Sequence, residues 1–229
     1  MANVSGLTLD RATFRYGELW VLRETTISVP RGGNLVVTGD NGVGKSTLLH
    51  LCAGLLPATS GRVLLAGQAP SVLRPSELFR NGVRRGVVFY SGGLLSNSSA
   101  LNNVVLPLRY HADVLGLSEQ AIDGRARELL ADLRVSQNDF HALPAHLSVG
   151  VRRRVSLARA LAIDPNFVFF DDPDANLDAT TRTLVYELIE RFRDDPGVTL
   201  VLTTTSKELL ERLSVPVREL AHGHLLERL

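Results

Sequence analysis

The chain has 229 residues, 45% of them hydrophobic and 21% charged, enough apolar material for a sizeable buried core. A formal net charge of +1 gives no electrostatic case for nucleic-acid binding, so no nucleic-acid partner is expected. No apolar run approaches the roughly 20 residues of a spanning helix, the lone Cys52 excludes an intrachain disulfide, and Met1-Ala2-Asn3-Val4 lacks a secretory pattern. These features point to a reducing cytoplasm, with any membrane role exercised through a partner.

The first 38 residues read as β structure, with Leu7, Leu9, Phe14 and Tyr16 in one stretch and Val21 to Val29 in another. Pro30-Arg31-Gly32-Gly33 is a turn before the strand Leu35-Val36-Val37. A helix comes next through Leu48-Leu49-His50-Leu51, with Cys52 on its apolar face as a small core residue. Short strands are expected at Arg62–Ala66 and Gly86–Tyr90. From about Leu94 to Leu143 the pattern turns helical, with Ala121, Ala126, Leu129, Leu130 and Leu133 at helical spacing. Ser148 can cap a further helix reaching Ala162, and Arg152-Arg153-Arg154 is read as its solvated face. Phe167-Val168-Phe169-Phe170 is an apolar strand ending in Asp171-Asp172, succeeded by a helix from Thr181 to Arg193 and a strand from Thr199 to Thr203. The remainder reads as a short helix and two small strands, with His222 and His224 alternating on one strand face as surface residues. Strands alternating with helices predict an α/β parallel core.

Residues 39–47, Gly-Asp-Asn-Gly-Val-Gly-Lys-Ser-Thr, have the spacing of a phosphate-binding P-loop between a strand and a helix. Gly39, Gly42 and Gly44 let the backbone approach phosphate, and the helix N-terminus adds its positive dipole end. Gly39, Asn41, Gly42, Gly44, Lys45, Ser46 and Thr47 are the expected nucleotide-binding residues. Lys45 can reach the β- and γ-phosphates, and the Ser46 hydroxyl can ligate Mg²⁺. Asp171, an acid at the end of an apolar strand, would hold Mg²⁺ opposite Ser46.

With these motifs in place, nearly the full chain resembles the ATP-binding subunits of ABC transporters. Leu147-Ser148-Val149-Gly150-Val151 stands where that family has Leu-Ser-Gly-Gly-Gln, and the run from Arg152 to Leu161 is typical of the segment just after that signature. Ala175-Asn176-Leu177-Asp178 matches the loop that crosses the family's dimer interface. The resemblance implies a P-loop NTPase core of ABC type with an N-terminal antiparallel β region and an inserted α-helical subdomain. It also implies one domain over 1–229: 1–90 and 163–229 would form the core and β region, and about 91–162 the helical subdomain. Adenine would stack on Tyr16, ATP and Mg²⁺ would be the cofactors, and Ser148 and Gly150 would contact the γ-phosphate of a partner's ATP. A second ABC ATPase subunit and a membrane permease would be the partners, placing the chain peripherally on the inner face of the cell membrane.

The departures from the family pattern concern hydrolysis. Asp172 replaces the general-base Glu, Thr205 the switch His, and Tyr90 the Gln that senses Mg²⁺ and water; Val149 and Val151 alter the signature. Asp is one methylene shorter than Glu, so water positioning should suffer, and Thr carries no positive charge. Weak hydrolysis at the chain's own site is therefore expected, with a heterodimer favoured over a homodimer. A non-catalytic ATP-binding module is the alternative. The stretch Tyr90–Asn97 with Leu101–Val104 and Leu106–Arg109 further resembles the ATPases of bacterial lipid-trafficking transporters of the mammalian-cell-entry type, and it is the expected permease-facing segment.

Overall fold

The computed structural model describes residues 5–227. Strands β1 (Ser5–Tyr16) and β2 (Leu19–Pro30) form a hairpin, and β4 (Ser60–Leu65) adds to its other edge, giving an antiparallel sheet ordered β2-β1-β4. The second sheet contains β3 (Asn34–Thr38), β5 (Arg85–Val88), β6 (Phe167–Asp171), β7 (Thr199–Thr203), β8 (Val217–Ala221) and β9 (His224–Glu227), ordered β5-β6-β7-β3-β8-β9. All its pairings are parallel except β8 with β9.

The helices are α1 (Lys45–Cys52), α2 (Pro75–Arg80), α3 (Ala100–Tyr110), α4 (Ala112–Leu115), α5 (Glu119–Asp132), α6 (Val149–Leu161), α7 (Ala179–Asp194) and α8 (Lys207–Leu213). Five begin at serine or aspartate caps, Ser99, Ser118, Ser148, Asp178 and Ser206, each side chain accepting a backbone N–H from three residues on. This is the α/β cassette architecture expected, with an antiparallel β region and a helical part.

The central strands β3, β6 and β7 are buried on both faces, which is why they read as apolar runs. Alternate residues supply two separate cores. Val36, Val168, Phe170, Leu200 and Leu202 join the core beneath α3, α5, α6 and α7. Leu35, Val37, Phe167, Phe169 and Val201 join the core beneath α1 and the β1-β2-β4 sheet, which also takes in Cys52. Burial pushes the Cys52 thiol up to about 12, so it behaves as a small apolar side chain.

Several local expectations are corrected. Phe89 and Tyr90 lie beyond the end of β5, in a loop whose carbonyls bond to α6 side chains rather than to a neighbouring strand. His222 is not in a strand: it sits at φ +50° in the β8–β9 turn, and His224 opens β9. The helical block starts only at Ala100. Helix α2 is an addition to the expected elements; its start carries Pro75 at the first position, where a missing N–H costs no bond.

Candidate nucleotide site

Helix α1 starts at the P-loop because Gly44, at φ +109°, turns the chain there; a Cβ on it would collide with Val21. That contact also seats the β1–β2 hairpin beside the loop. Lys45 is buried, and its Nζ donates to Gly39 O at 2.8 Å and Asp40 O at 2.9 Å, which holds the ammonium inside the curl of the loop. The Ser46 hydroxyl donates to Asp171 Oδ1 at 3.0 Å, and Thr203 Oγ1 donates to the same oxygen at 2.8 Å. The start of α1 and the ends of β6 and β7 are thus tied together on one carboxylate.

An open cavity of about 520 Å³ lies over this junction. Asn41, Gly42, Gly44, Lys45, Ser46 and Thr47 line one side, and Tyr90, Asp171, Asp172, Ala175, Asn176 and Thr205 the other. Gly39 lies behind the loop, in a separate depression that it shares with Asp40 and Lys207. Three further residues expected from the sequence stand away from the cavity. Tyr16 is exposed at the end of β1, its ring edge-on to Phe14 at 4.8 Å. Ser148 accepts the Val151 N–H at 3.2 Å as the cap of α6. Gly150 packs against the start of α7, where a Cβ would come within 2.8 Å of Asp178 Oδ2 and Thr181 Oγ1.

Asp172 adjoins Asp171 with φ +43°, an uncommon conformation for a residue with a side chain. Its N–H donates to Thr203 O at 2.9 Å, and its Oδ1 accepts only a long bond, 3.4 Å, from Thr205 N–H. Burial raises the Asp172 carboxyl above the ordinary range; the Thr205 N–H and Lys45 oppose this, while Asp174 and Asp171 reinforce it. Asp178 is held below the ordinary range by the Thr181 N–H and hydroxyl that it caps.

The basic run on α6 is not a solvated face. Arg153 is only 4% exposed, and it donates to Phe89 O at 2.8 Å and Tyr90 O at 2.9 Å. Ser156 Oγ donates to Gly92 O at 2.7 Å, and Arg159 reaches Gly93 O at 2.7 Å and Gly92 O at 3.2 Å. Arg152 and Arg154 likewise bond carbonyls, of Leu147 and Arg134. The signal lay in the spacing: Gly150, Arg153, Leu157 and Ala160 share one buried helical stripe. A second missed feature is Tyr186 of α7, whose buried hydroxyl bonds Asp174 and Ser206 at the rim of the site.

A P-loop curled round a lysine, with a serine and a strand-end carboxylate facing each other beneath an open cavity, defines a P-loop NTPase of the ABC cassette fold. The comparisons agree: residues 22–175 match the ABC transporter family, and this chain belongs to it. The lipoprotein-releasing system ATP-binding protein LolD of Geobacter metallireducens is 36% identical over 86% of this chain and 86% of its own length. The methionine import ATP-binding protein MetN of Photorhabdus laumondii is 34% identical over 90% of this chain, which spans 59% of that relative. The ATP-binding cassette MJ0796, solved as a dimer in a post-hydrolysis state bound to ADP and Pi, superposes with a TM-score of 0.84 at 27% identity, covering 97% of each chain. Among the described residues no helix is long and apolar enough to cross a membrane.

Proposed function

We propose that residues 1–229 form one ATP-binding domain, with 91–162 as its helical subdomain, that binds Mg-ATP on the cytoplasmic face of a membrane and drives a permease. The observation that carries this reading is the convergence of Lys45, Ser46 and Asp171 in a cavity whose far wall holds Asp172, Thr205 and Tyr90. The phosphates lie along Gly39, Asn41, Gly42, Gly44 and Thr47, with Lys45 as their cation and the exposed Tyr16 ring against adenine. Ser46 and Asp171 offer a hydroxyl and a carboxylate oxygen 3.0 Å apart, hard donors that suit Mg²⁺ shared with phosphates and water. When bound, Mg²⁺ would neutralise charge on the transferring phosphoryl group.

Asp172 orients the attacking water, beside Thr205 and Tyr90. The short Asp172 side chain, its raised carboxyl and the neutral Thr205 all favour slow hydrolysis at this site. Ser148 and Gly150, outside the cavity, complete a site on the second cassette. Because the hydrolytic residues depart from the family pattern more than this pair does, we favour a heterodimer whose partner carries the faster site. The permease docks around Tyr90–Asn103. There the buried Asn103 side chain accepts the Leu95 N–H at 2.8 Å and donates to the Leu95, Ser98 and Ser99 carbonyls, so exposed Leu95 sits on a fixed loop. The likeness of 90–109 to lipid-trafficking ATPases, with the lipoprotein-releasing name of one relative, supports a lipid or lipid-modified cargo.

Calorimetric titration with Mg-ATP tests the foundation. Lys45→Ala should weaken binding by at least about tenfold, the size of one lost charge-assisted bond. Unchanged affinity removes the phosphate role of Lys45, and no measurable Mg-ATP binding by the wild type removes the nucleotide assignment.

A further inference from the structure

The loop from Asp172 to Asp178 has little to hold it from within. Its own turns close through long bonds, Ala175 N–H to Asp172 O at 3.3 Å and Leu177 N–H to Asp174 O at 3.4 Å. Asp172 and Asn176 both have positive φ, +43° and +60°, which persists only where the surroundings impose it. The strongest external anchor is Tyr186 Oη, donating to Asp174 Oδ2 at 2.6 Å. The same oxygen lies 2.9 Å from Ser206 Oγ.

Donor counts set the proton order in this cluster. A phenol carries one proton and a carboxylate only accepts, so the Tyr186 proton goes to Asp174. Ser206 therefore donates to the phenolic oxygen, while its own oxygen accepts the Leu209 N–H at 3.3 Å as the cap of α8. The result is a directed chain: Leu209 N–H to Ser206, Ser206 to Tyr186, Tyr186 to Asp174. Tyr186 is 1% exposed, and Arg212, paired with Glu190, lies over its ring with the guanidinium carbon 5.2 Å from the ring centre. The tyrosine at the centre of the relay is thus buried, while Asp174 and Ser206 at its ends are partly exposed.

We infer that Tyr186 is a positioning residue for ATP hydrolysis: its hydroxyl ties the loop carrying Asp172 to the segment carrying Thr205 and so fixes the two relative to each other. The inference rests on the proposed roles of those two residues. The direct contact between them, 3.4 Å from Thr205 N–H to Asp172 Oδ1, is too long to fix the carboxylate. A displacement of about 1 Å at a reacting group is costly in rate, and an aspartate has less reach to correct it than a glutamate.

Tyr186→Phe removes the hydroxyl and keeps the ring. Expected are a fall in kcat of about tenfold, the effect of one lost bond to a charged group, with Mg-ATP affinity unchanged. Amide exchange should accelerate over 174–178 and 205–209 and stay slow in β3 and β7. Asp174→Ala, cutting the relay at its other end, should reproduce the exchange pattern. Wild-type exchange in both variants overturns the proposal, as does a kcat loss that only tracks a loss of folded protein. All turnover here is that of the purified chain without a partner cassette, and Asp172→Asn is the control: if it leaves wild-type turnover unchanged, the assigned role of Asp172 has failed, and exchange alone then judges the relay.

Discussion

Replacing Arg153 by methionine keeps the apolar stem and deletes the guanidinium. Two bonds vanish, to Phe89 O at 2.8 Å and Tyr90 O at 2.9 Å. Bonds from a charged donor contribute about 1.5–3 kcal/mol each, and a stranded buried carbonyl costs about 1–3 kcal/mol. Against this stands the cost of burying the charge, visible as the desolvation that lowers the Arg153 pKa, with Asp174, Asp172 and Asp171 opposing the shift. The surviving bonds from Ser156 and Arg159 to Gly92 and Gly93 limit how far the loop can move. A net loss of about 2 kcal/mol is expected, hence a drop of about 4–8 °C in Tm for a chain of this size. Urea unfolding with an unchanged m-value reads the free energy. Arg153→Lys should recover less than half of it, because an ammonium cannot present the two-pronged fork. Wild-type stability in the methionine variant would show that this clamp contributes nothing and that the loop around Tyr90 is held some other way.

Steady-state phosphate release by the purified chain should be well below about 10 per second, and it should rise in Asp172→Glu with Thr205→His; turnover at that ordinary enzyme rate in the wild type contradicts a slow site. With its partner cassette present, Ser148→Arg should abolish hydrolysis and Asp172→Asn should leave most of it; complete loss in the latter would place the working site on this chain. A cysteine at Leu95 or Asn97 should crosslink to a membrane protein, whereas capture only from Glu190 would move the permease surface elsewhere. Burial and Asp174 hold the Tyr186 phenol up at about 12. Its stabilising share is complete below the unfolded value near 10 and lost as pH rises toward about 12. Denaturation curves across that window should therefore fall more steeply for the wild type than for Tyr186→Phe, and equal slopes would refute this.

The glycine spacing, the lysine and the strand-end acid were legible because phosphate binding demands those residue types at fixed offsets. The central strands were legible because burial on both faces writes itself as continuous apolar runs. Strand ends were not: Tyr90 reads as strand from its apolar neighbours, but side chains of α6, more than sixty residues away in sequence, capture its carbonyl. The same distance hid Arg153. Three consecutive arginines look solvated when a run is read by charge, and only the packing of α6 over the 89–93 loop turned the middle one inward. Tyr186 reads as one more apolar-face residue of α7, and its hydroxyl acquires partners only when the segments after β6 and β7 are brought to it. Sequence alone determined the P-loop and the family to which it belongs, since that motif is local. Tertiary structure decided which polar groups pack around that loop, since hydrogen bonds between segments far apart in the chain leave no periodic trace.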